Sequence, residues 1–294
     1  MDKPDSAGRS HAAGGKKTRV LHRLDVRSGS TGEGDAQDVR VGIAVDVETT
    51  STIVDKGAVI ELAVRSFRFD RQGVITDIDD IHAWLEDPGT PLTPQITAIT
   101  GLTDANLSGK SIDEGRATSL LRSASLVIAH HAAFDRPWVE RRLPAASGLN
   151  WGCSFRQIDW RAQGFDGRTL GYLLQQTGYF FERGHRAATD VDALVQLLRH
   201  KFDDGTTALG ELLRRSAELS WIVRAHGAGY AAKDALWARG YRWDAVQRVW
   251  WTEIGDDART AEEFWLAENV YAAGKGARSM GPDFERVTAA ERFL

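Results

Sequence analysis

Residues 41–48 read Val-Gly-Ile-Ala-Val-Asp-Val-Glu, and this stretch decides the fold. Apolar Val and Ile side chains alternate with small or acidic ones, and a period of two predicts a β-strand. Successive side chains of a strand point to opposite faces, so Asp46 and Glu48 share one face. That face continues back through Gly42 and Ala44, which are too small to cover it. The stretch therefore predicts a strand with one apolar face and two neighbouring carboxylates on the other.

Two carboxylates side by side on a strand repel each other. A bound divalent cation removes this cost, and hard cations prefer oxygen ligands. The alternative interpretation is a strand end that emerges into solvent, and for an isolated Asp-x-Glu that interpretation is the more common one. The pair therefore needs support from other parts of the chain.

The segments that follow have the periodicities of both strands and helices. Further strands are predicted near residues 58–67, 73–84 and 126–129, with a hairpin turn at 70–73. Helices are predicted over residues 111–122, 134–143, 170–176 and 188–201. Three strands followed by alternating helices and strands indicate an α/β fold, in which helices cover a mixed sheet.

A third carboxylate, Asp190, falls on the apolar stripe of the predicted helix at 188–201. An unpaired buried charge is expensive, so this position indicates a partner. A helix-start carboxylate that satisfies backbone amides is an equally good interpretation. Asp192, by contrast, is predicted to point toward water. His185 precedes Asp190 by five residues, on a loop that could fold over a site containing Asp190, although a lone His is more often structural or exposed.

A fourth carboxylate, Asp135, precedes Arg136-Pro137 and so lies at a helix start. Taken alone it is best interpreted as a helix cap. The apolar run at residues 126–129, however, would deliver Asp135 to the carboxyl edge of a sheet, where open sheets commonly place their sites.

Length and composition limit the classes of protein. The chain has 294 residues, which suits one large and one small unit. Its net charge is −4, so a nucleic-acid contact must come from a local basic patch. The single cysteine, Cys153, excludes an internal disulfide and fits a reducing cytosol. No apolar run reaches the roughly 18–20 residues of a membrane span, and no signal peptide is evident. We therefore expect a cytoplasmic protein without a membrane partner.

Composition also divides the chain. Residues 1–40 are polar and without periodicity, so we expect a disordered tail. Residues 41–204 form the main domain, and residues 205–294 a small α+β unit. Beyond Leu219 the chain carries six of its ten tryptophans: Trp221, Trp237, Trp243, Trp250, Trp251 and Trp265. Basic residues between 224 and 248 alternate with aromatic ones, as in single-strand binding surfaces. The alternative, preferred for most of the tryptophans, is that they form the small unit's core.

Taken together, the segments resemble the DEDDh (DnaQ-like) exonuclease family, which includes the proofreading epsilon subunit of bacterial DNA polymerase III. The resemblance covers residues 41–202, and Ser51 and His131 stand where the family often has Gly and Asn. It rests on three motifs in order: Asp46-Val47-Glu48-Thr49-Thr50, His130-His131-Ala132-Ala133-Phe134-Asp135 and His185-Arg186-Ala187-Ala188-Thr189-Asp190. Two signatures lie between the first and second motifs: Ile60-Glu61-Leu62 and Ile99-Thr100-Gly101-Leu102-Thr103.

This resemblance implies a ribonuclease H-like mixed sheet flanked by helices. It also implies that two Mg²⁺ or Mn²⁺ ions are bound by four carboxylates: Asp46, Glu48, Asp135 and Asp190. Two metals can stabilise the attacking and leaving oxygens of an in-line displacement at phosphorus. The resemblance makes His185 the general base, which must be neutral, so activity should fall at acidic pH. Backbone near Val47 and Thr49 and the ring of Phe134 are expected to contact the 3′ nucleotide.

The expected function is a 3′→5′ exonuclease that releases nucleoside monophosphates from single-stranded DNA in proofreading, repair or turnover, with a replication or repair protein as a candidate partner. A 3′→5′ exoribonuclease is the first alternative, distinguished by tolerance of the 2′-hydroxyl. A catalytically inactive interaction module is the second. Residues 233–243 resemble an appendage found after some DnaQ-like nuclease domains, which we expect to guide nucleic acid or a protein partner.

Overall fold

The computed structural model describes residues 19–182, 184–272 and 281–293. The first eight strands are β1 (His22–Arg23), β2 (Gly29–Ser30), β3 (Arg40–Thr49), β4 (Val59–Phe69), β5 (Ile75–Leu85), β6 (Leu126–Ala129), β7 (Trp151–Cys153) and β8 (Tyr179–Phe180). The helices among and after them are α1 (Pro94–Thr100), α2 (Asp104–Leu107), α3 (Glu114–Ser123), α4 (Ala132–Arg142), α5 (Ser154–Gln157), α6 (Leu170–Gln176), α7 (Ala187–Leu198) and α8 (Ala208–Ala217). The remaining elements are β9 (Ser220–Ala225), α9 (Lys233–Ala238), β10 (Arg242–Asp244), β11 (Val249–Gly255), α10 (Arg259–Asn269) and β12 (Asp283–Val287).

A six-stranded mixed sheet forms the centre of the larger unit, as the sequence predicts. Its strand order is β2-β5-β4-β3-β6-β7, with β3 antiparallel to β4 and parallel to β6. Helices cover both faces: Ala44 of β3 packs in the same core as Leu194 of α7, whereas Val45 shares its core with Trp138 of α4. The fold is thus the α/β mixed sheet with flanking helices of the ribonuclease H-like type.

The acidic face of β3 is open only at its carboxyl end. Phe67 lies directly opposite Gly42 in the β3–β4 register, and a Cβ atom at Gly42 would lie 2.6 Å from the Phe67 ring. The expectation that Gly42 and Ala44 leave the face uncovered is therefore wrong, since Phe67 fills the space that the small residues provide. Asp46 and Glu48 remain partly exposed at the strand end.

Residues 19–40 follow the surface of the larger unit, so the predicted disordered tail is wrong for these residues. Strand β1 pairs with β8, and β2 pairs with β5. Glu33 forms ion pairs with Arg199 and Lys201, and Leu24 packs against the main core. The polar segment 19–40 has no hydrophobic core of its own. It is held in place by strand pairing with β5 and β8 and by ion pairs with residues much later in the chain. Residues 1–18 lie outside the described residues.

The C-terminal part contains a second sheet, fully antiparallel, with the order β10-β11-β9-β12. Its core includes Val223, Tyr241 and Leu266, so the predicted α+β character is confirmed, although β10 and β12 were not predicted. The tryptophans divide between two roles. Trp250 and Trp265 pack against the core, as preferred, whereas Trp237 is 71% exposed.

The domain boundary predicted after residue 204 does not separate the two hydrophobic cores, because residues on both sides of it pack in the larger unit. Leu209 and Leu212 of α8 lie in the core of the larger unit. The chain also returns to that unit after β12, because the buried Arg136 side chain donates hydrogen bonds of 2.6 Å to the carbonyls of Ala290 and Arg292. We therefore propose that the accessory unit comprises residues 220–287. Within the described ranges, every helix is too short or too polar to span a bilayer.

Candidate metal centre

Three predicted carboxylates meet at the carboxyl end of β3. Asp46 and Glu48 come from this strand, and Asp190 comes from the first turn of α7, which packs across β3 and β4. Each contributes a carboxylate oxygen to a group in which these atoms lie within 4.8 Å of one another. Strand alternation and the apolar stripe of α7, two independent local patterns, thus bring their acids to one place.

Asp135 lies beside this group rather than within it. Helix α4 begins directly after β6, the parallel neighbour of β3, so its first turn lies at the same sheet edge. The side chain is buried, and Oδ1 accepts a 3.3 Å hydrogen bond from the backbone N–H of Val47. The Asp135 charge also raises the pKa of Asp46. Asp135 is therefore both anchored to β3 and electrostatically part of the site.

All four carboxyl groups have raised pKa values. Burial is the largest cause in each, and repulsion between the acids adds to it. The pKa of Asp46 lies well above its usual range, those of Glu48 and Asp135 are each about 8, and that of Asp190 is about 6. Among the described residues, no Lys or Arg forms an ion pair with any of the four. An oxygen-rich, unneutralised cluster of this kind suits a hard divalent cation.

The loop before α7 is tied to Asp190 through its backbone. The N–H of His185 donates a 2.9 Å hydrogen bond to Oδ2 of Asp190, and His185 has a positive φ of 63°. Asp190 thus satisfies a backbone amide near the helix start and also joins the acidic group, so the two interpretations open in the sequence both apply. The His185 side chain is exposed.

Asp192 does not point toward water, which corrects the sequence prediction. Its Oδ1 lies 2.5 Å from Nη1 of Arg65, whose side chain is 3% exposed. A buried guanidinium on β4 needs a carboxylate partner, and α7 supplies one where it crosses that strand. Asp192 is therefore the half-buried ion-pair partner of a buried arginine, distinct from the acidic group.

Glu61 has a positioning contact that the sequence alone did not reveal. It lies directly opposite Glu48 in the β3–β4 register and is buried. Its carboxylate accepts hydrogen bonds from Nε and Nη2 of Arg186, at 3.0 and 3.1 Å, and from the N–H of Ala187 at 3.2 Å. Glu61 therefore holds the residues that follow His185. The available signal was a single carboxylate within the apolar run at residues 59–64.

The expected substrate contacts lie at the same edge. The N–H of Val47 is already bonded to Asp135, and Oγ1 of Thr49 donates to the carbonyl of Ser51 at 2.7 Å. Phe134 is half-buried, and its ring centroid lies 6.4 Å from that of His131 and 6.3 Å from that of Trp138. The N–H of Val47 and the hydroxyl of Thr49 are therefore already engaged within the protein.

The sequence and the fold were compared with known protein families, curated proteins and solved structures. Residues 43–198, more than half of the chain, match the family model described as Exonuclease. Two ribonuclease T proteins of Shewanella baltica, strains OS155 and OS185, are each 27% identical over 114 residues, which cover 34% of this chain and 51% of theirs. The chain thus spans about half the length of these curated relatives. The solved structure of exonuclease I has the same fold, with a TM-score of 0.50 at 17% identity, covering 86% of this chain and 63% of that one.

Proposed function

Because the chain belongs to the DEDDh exonuclease family, we propose that it is a metal-dependent 3′→5′ exonuclease. Its substrate would be single-stranded DNA, from which it releases nucleoside monophosphates in proofreading, repair or turnover. The observation that carries the proposal is the convergence of four carboxylates with raised pKa values, none of them paired with a described Lys or Arg. A fold has no structural use for such an uncompensated cluster, because buried charges cost free energy unless they are paired or bind a metal.

Asp46, Glu48, Asp135 and Asp190 would hold two Mg²⁺ or Mn²⁺ ions. Bound there, the ions would offset the carboxylate charge and stabilise the attacking and leaving oxygens of a phosphodiester displacement. The hydrogen bond from Val47 fixes Asp135 against β3, and the hydrogen bond from His185 fixes Asp190 against its loop. Both carboxylates are thereby preorganised before substrate arrives.

His185 would be the general base. A ring nitrogen accepts one proton of the attacking water as the new P–O bond forms, and the 3′-oxygen of the preceding nucleotide leaves. The exposed His185 ring stands on a loop that is anchored at two points, by the hydrogen bond to Asp190 and by the Glu61–Arg186 pair. The terminal base would rest on Phe134, with the carbonyls of Val47 and Thr49 facing its sugar.

A 3′→5′ exoribonuclease is the second candidate. The similarity to the two ribonuclease T proteins favours it, although those proteins are matched over only half of their length. The two candidates share every residue of the proposed chemistry and differ in tolerance of the 2′-hydroxyl. They are therefore separated by substrate and not by mutation of the carboxylates.

The test is a cleavage time course on 5′-labelled single-stranded DNA and RNA of matched sequence, with Mg²⁺, Mn²⁺ or EDTA. We expect a ladder that shortens from the 3′ end, requires the metal, and is absent for Asp46→Ala. The polymer that is degraded faster decides between the two candidates. A wild-type protein that cleaves neither polymer would contradict the proposal and favour a non-catalytic interaction module.

A further inference from the structure

A cleft of about 540 Å³ separates the larger unit from the accessory sheet. One wall carries Phe155, Arg156 and Arg168, from α5 and the segment before α6, and the other carries Arg242 and Trp251 of β10 and β11. His131, which directly precedes α4, also lines the cleft, and its ring is stacked against that of Phe134. The cleft therefore leads to the helix that carries Asp135.

The lining of this cleft has an excess of positive charge. Among its arginines, Arg215 is paired with Glu218, and Arg292 is paired with Glu253. These two glutamates are the only carboxylates that the described part of the chain contributes to the lining. The other three lining arginines are Arg156, Arg168 and Arg242, which are exposed and, over the ranges that the structure describes, have no carboxylate partner. A chain of net charge −4 thus concentrates three unneutralised guanidinium groups in one cleft.

Aromatic rings lie beside these arginines on both walls. The Arg168 guanidinium lies 4.2 Å from the centroid of the Phe155 ring. On the opposite wall, Arg242 and Trp251 are direct partners in the β10–β11 register, so their side chains share one sheet face. Cations that can neutralise phosphates, next to rings that can stack on bases, are the two components of sequence-tolerant single-strand binding.

We propose that this cleft binds the single strand on the 5′ side of the terminal nucleotide, with Arg156, Arg168 and Arg242 contacting its phosphates. The proposal rests on the proposed exonuclease function, which supplies the strand and its direction. The proposal gives the accessory unit a role in strand binding, because its residues Arg242 and Trp251 form the second wall of the cleft, opposite the larger unit. The ligand chemistry is the phosphodiester backbone, which single-stranded DNA and RNA share.

The test uses two proteins, both with Asp46→Ala so that no strand is degraded. One has no further change, and the other also carries the triple change Arg156→Ala/Arg168→Ala/Arg242→Ala. Binding to fluorescent dT20 and rU20 is measured by anisotropy over a range of salt concentrations. For single strands each neutralised phosphate contributes about 0.7 to the slope of log K against log salt. The three arginines should therefore reduce the slope by about 2 and weaken binding at least about tenfold at moderate salt.

Arg116→Ala is the matched control. Arg116 is an exposed arginine of α3 that lies outside the cleft and has no carboxylate partner within the described ranges. The control should keep the wild-type affinity and slope. Thermal unfolding followed by circular dichroism checks that the triple variant folds, which we expect because all three side chains are exposed.

The outcomes separate this proposal from the proposed function. Loss of affinity and slope on both polymers supports the cleft as a backbone site, and loss on one alone supports it and assigns it to that polymer. A folded triple variant that binds both strands like wild type overturns the proposal, and an acidic protein segment becomes the candidate occupant. Cleavage is measured separately on proteins without Asp46→Ala. An inactive wild type would contradict the proposed exonuclease function, whereas the salt dependence of binding would still test whether the cleft binds a strand.

Discussion

Two regions of this molecule bury carboxylates in opposite ways. In the candidate metal centre, four acids converge, and no described Lys or Arg pairs with any of them. In the accessory unit, Glu262 is 4% exposed, yet its oxygens accept hydrogen bonds from Oη of Tyr241 at 2.9 Å and from Nε of Arg239 at 3.1 Å. The paired acid joins helix α10 to the residues around β10. The acids of the metal centre lack a described cationic partner and so indicate an external one.

Glu61 shows that the difference is set residue by residue and not by region. It lies directly opposite Glu48 across β3 and β4, but the Arg186 side chain pairs with it. Like charges directly opposite each other on a sheet are destabilising. The guanidinium of Arg186, which pairs with Glu61, offsets that cost. The partner of each carboxylate, more than its burial, therefore separates a structural acid from a candidate ligand.

The largest effect should come from removing one unpaired acid. Asp46→Asn keeps the side-chain shape and removes the charge, so cleavage should fall at least about 10³-fold, as expected for an electrostatic group at a reacting centre. The same change should raise the free energy of unfolding in EDTA at pH 8, because a carboxylate disfavoured by burial, and then by repulsion with Asp135 and Asp190, is removed. Cleavage time courses and urea unfolding measure the two effects. Loss of activity accompanied by loss of apo-protein stability would contradict the comparison.

The next effect concerns the base. His185→Ala should reduce kcat by about 10²–10³-fold, since general-base catalysis contributes in this range. Substrate affinity should change little, because the His185 side chain is exposed and its proposed role is to accept a proton. Steady-state kinetics on 5′-labelled oligonucleotides give both values. A variant that retains substantial activity would refute the assigned role.

Glu61→Gln tests the paired acid next to the centre. Loss of the charge weakens the hold on Arg186 and so loosens the loop that carries His185, and residues that orient a catalytic shell typically contribute 10–100-fold. We expect a fall of about that size in kcat. The decisive measurement is a double-mutant cycle, because Glu61→Gln should have almost no further effect in a His185→Ala background. Additive losses would show that Glu61 does not act through His185.

Glu262→Gln should have the reverse profile to Asp46→Asn. It leaves Tyr241 and Arg239 without their charged acceptor, and a buried group that loses such a partner costs about 1–3 kcal/mol of unfolding free energy. Cleavage per folded molecule should stay at the wild-type level, since Glu262 lies in the accessory core. Denaturant unfolding and a cleavage assay at low temperature check this. The opposite pattern, with intact stability and lost cleavage, would overturn the structural assignment of Glu262.

The smallest expected effect is on stability as a function of pH. The four acids of the metal centre have folded-state pKa values above their unfolded values, with Glu48 and Asp135 at about 8. The folded apo-protein therefore binds more protons than the unfolded chain between about pH 4 and 8, and this contribution to stability declines as pH rises through that window. Mg²⁺ should raise the Tm more at pH 8 than at pH 5. The difference between the Tm gains at the two pH values should be smaller in Asp46→Asn. An equal Tm gain from Mg²⁺ at pH 5 and pH 8 in the wild type would contradict this prediction.

Local patterns predicted some elements to the residue. The strand at 126–129 and the helix at 170–176 have the bounds that periodicity indicated. The alternation that placed Asp46 and Glu48 on one face holds, because neighbouring side chains alternate in any strand. The stripe of α7 likewise placed Asp190 correctly. These features depend on residues close together in the chain, which a linear sequence displays directly.

Contacts between distant residues were not accessible in this way. The sequence gives no sign that Arg136 donates to carbonyls more than 150 residues away, which ties the chain end to the helix of Asp135. Asp192 was expected in water for the same reason, since its partner Arg65 lies 127 residues earlier. The ordered path of residues 19–40 also depends on strands and charges far along the chain.

The sequence by itself thus predicted the mixed sheet from periodicity, and its resemblance to the DEDDh family, carried by short motifs with fixed spacing, implied the four candidate metal ligands and the loop histidine. Only the tertiary structure decided which carboxylates are paired and that Glu61 holds the His185 loop. It also decided that three arginines without a carboxylate partner among the described residues face one cleft between two units. Pairing and electrostatic excess depend on distances between side chains, and those distances exist only once the chain has folded.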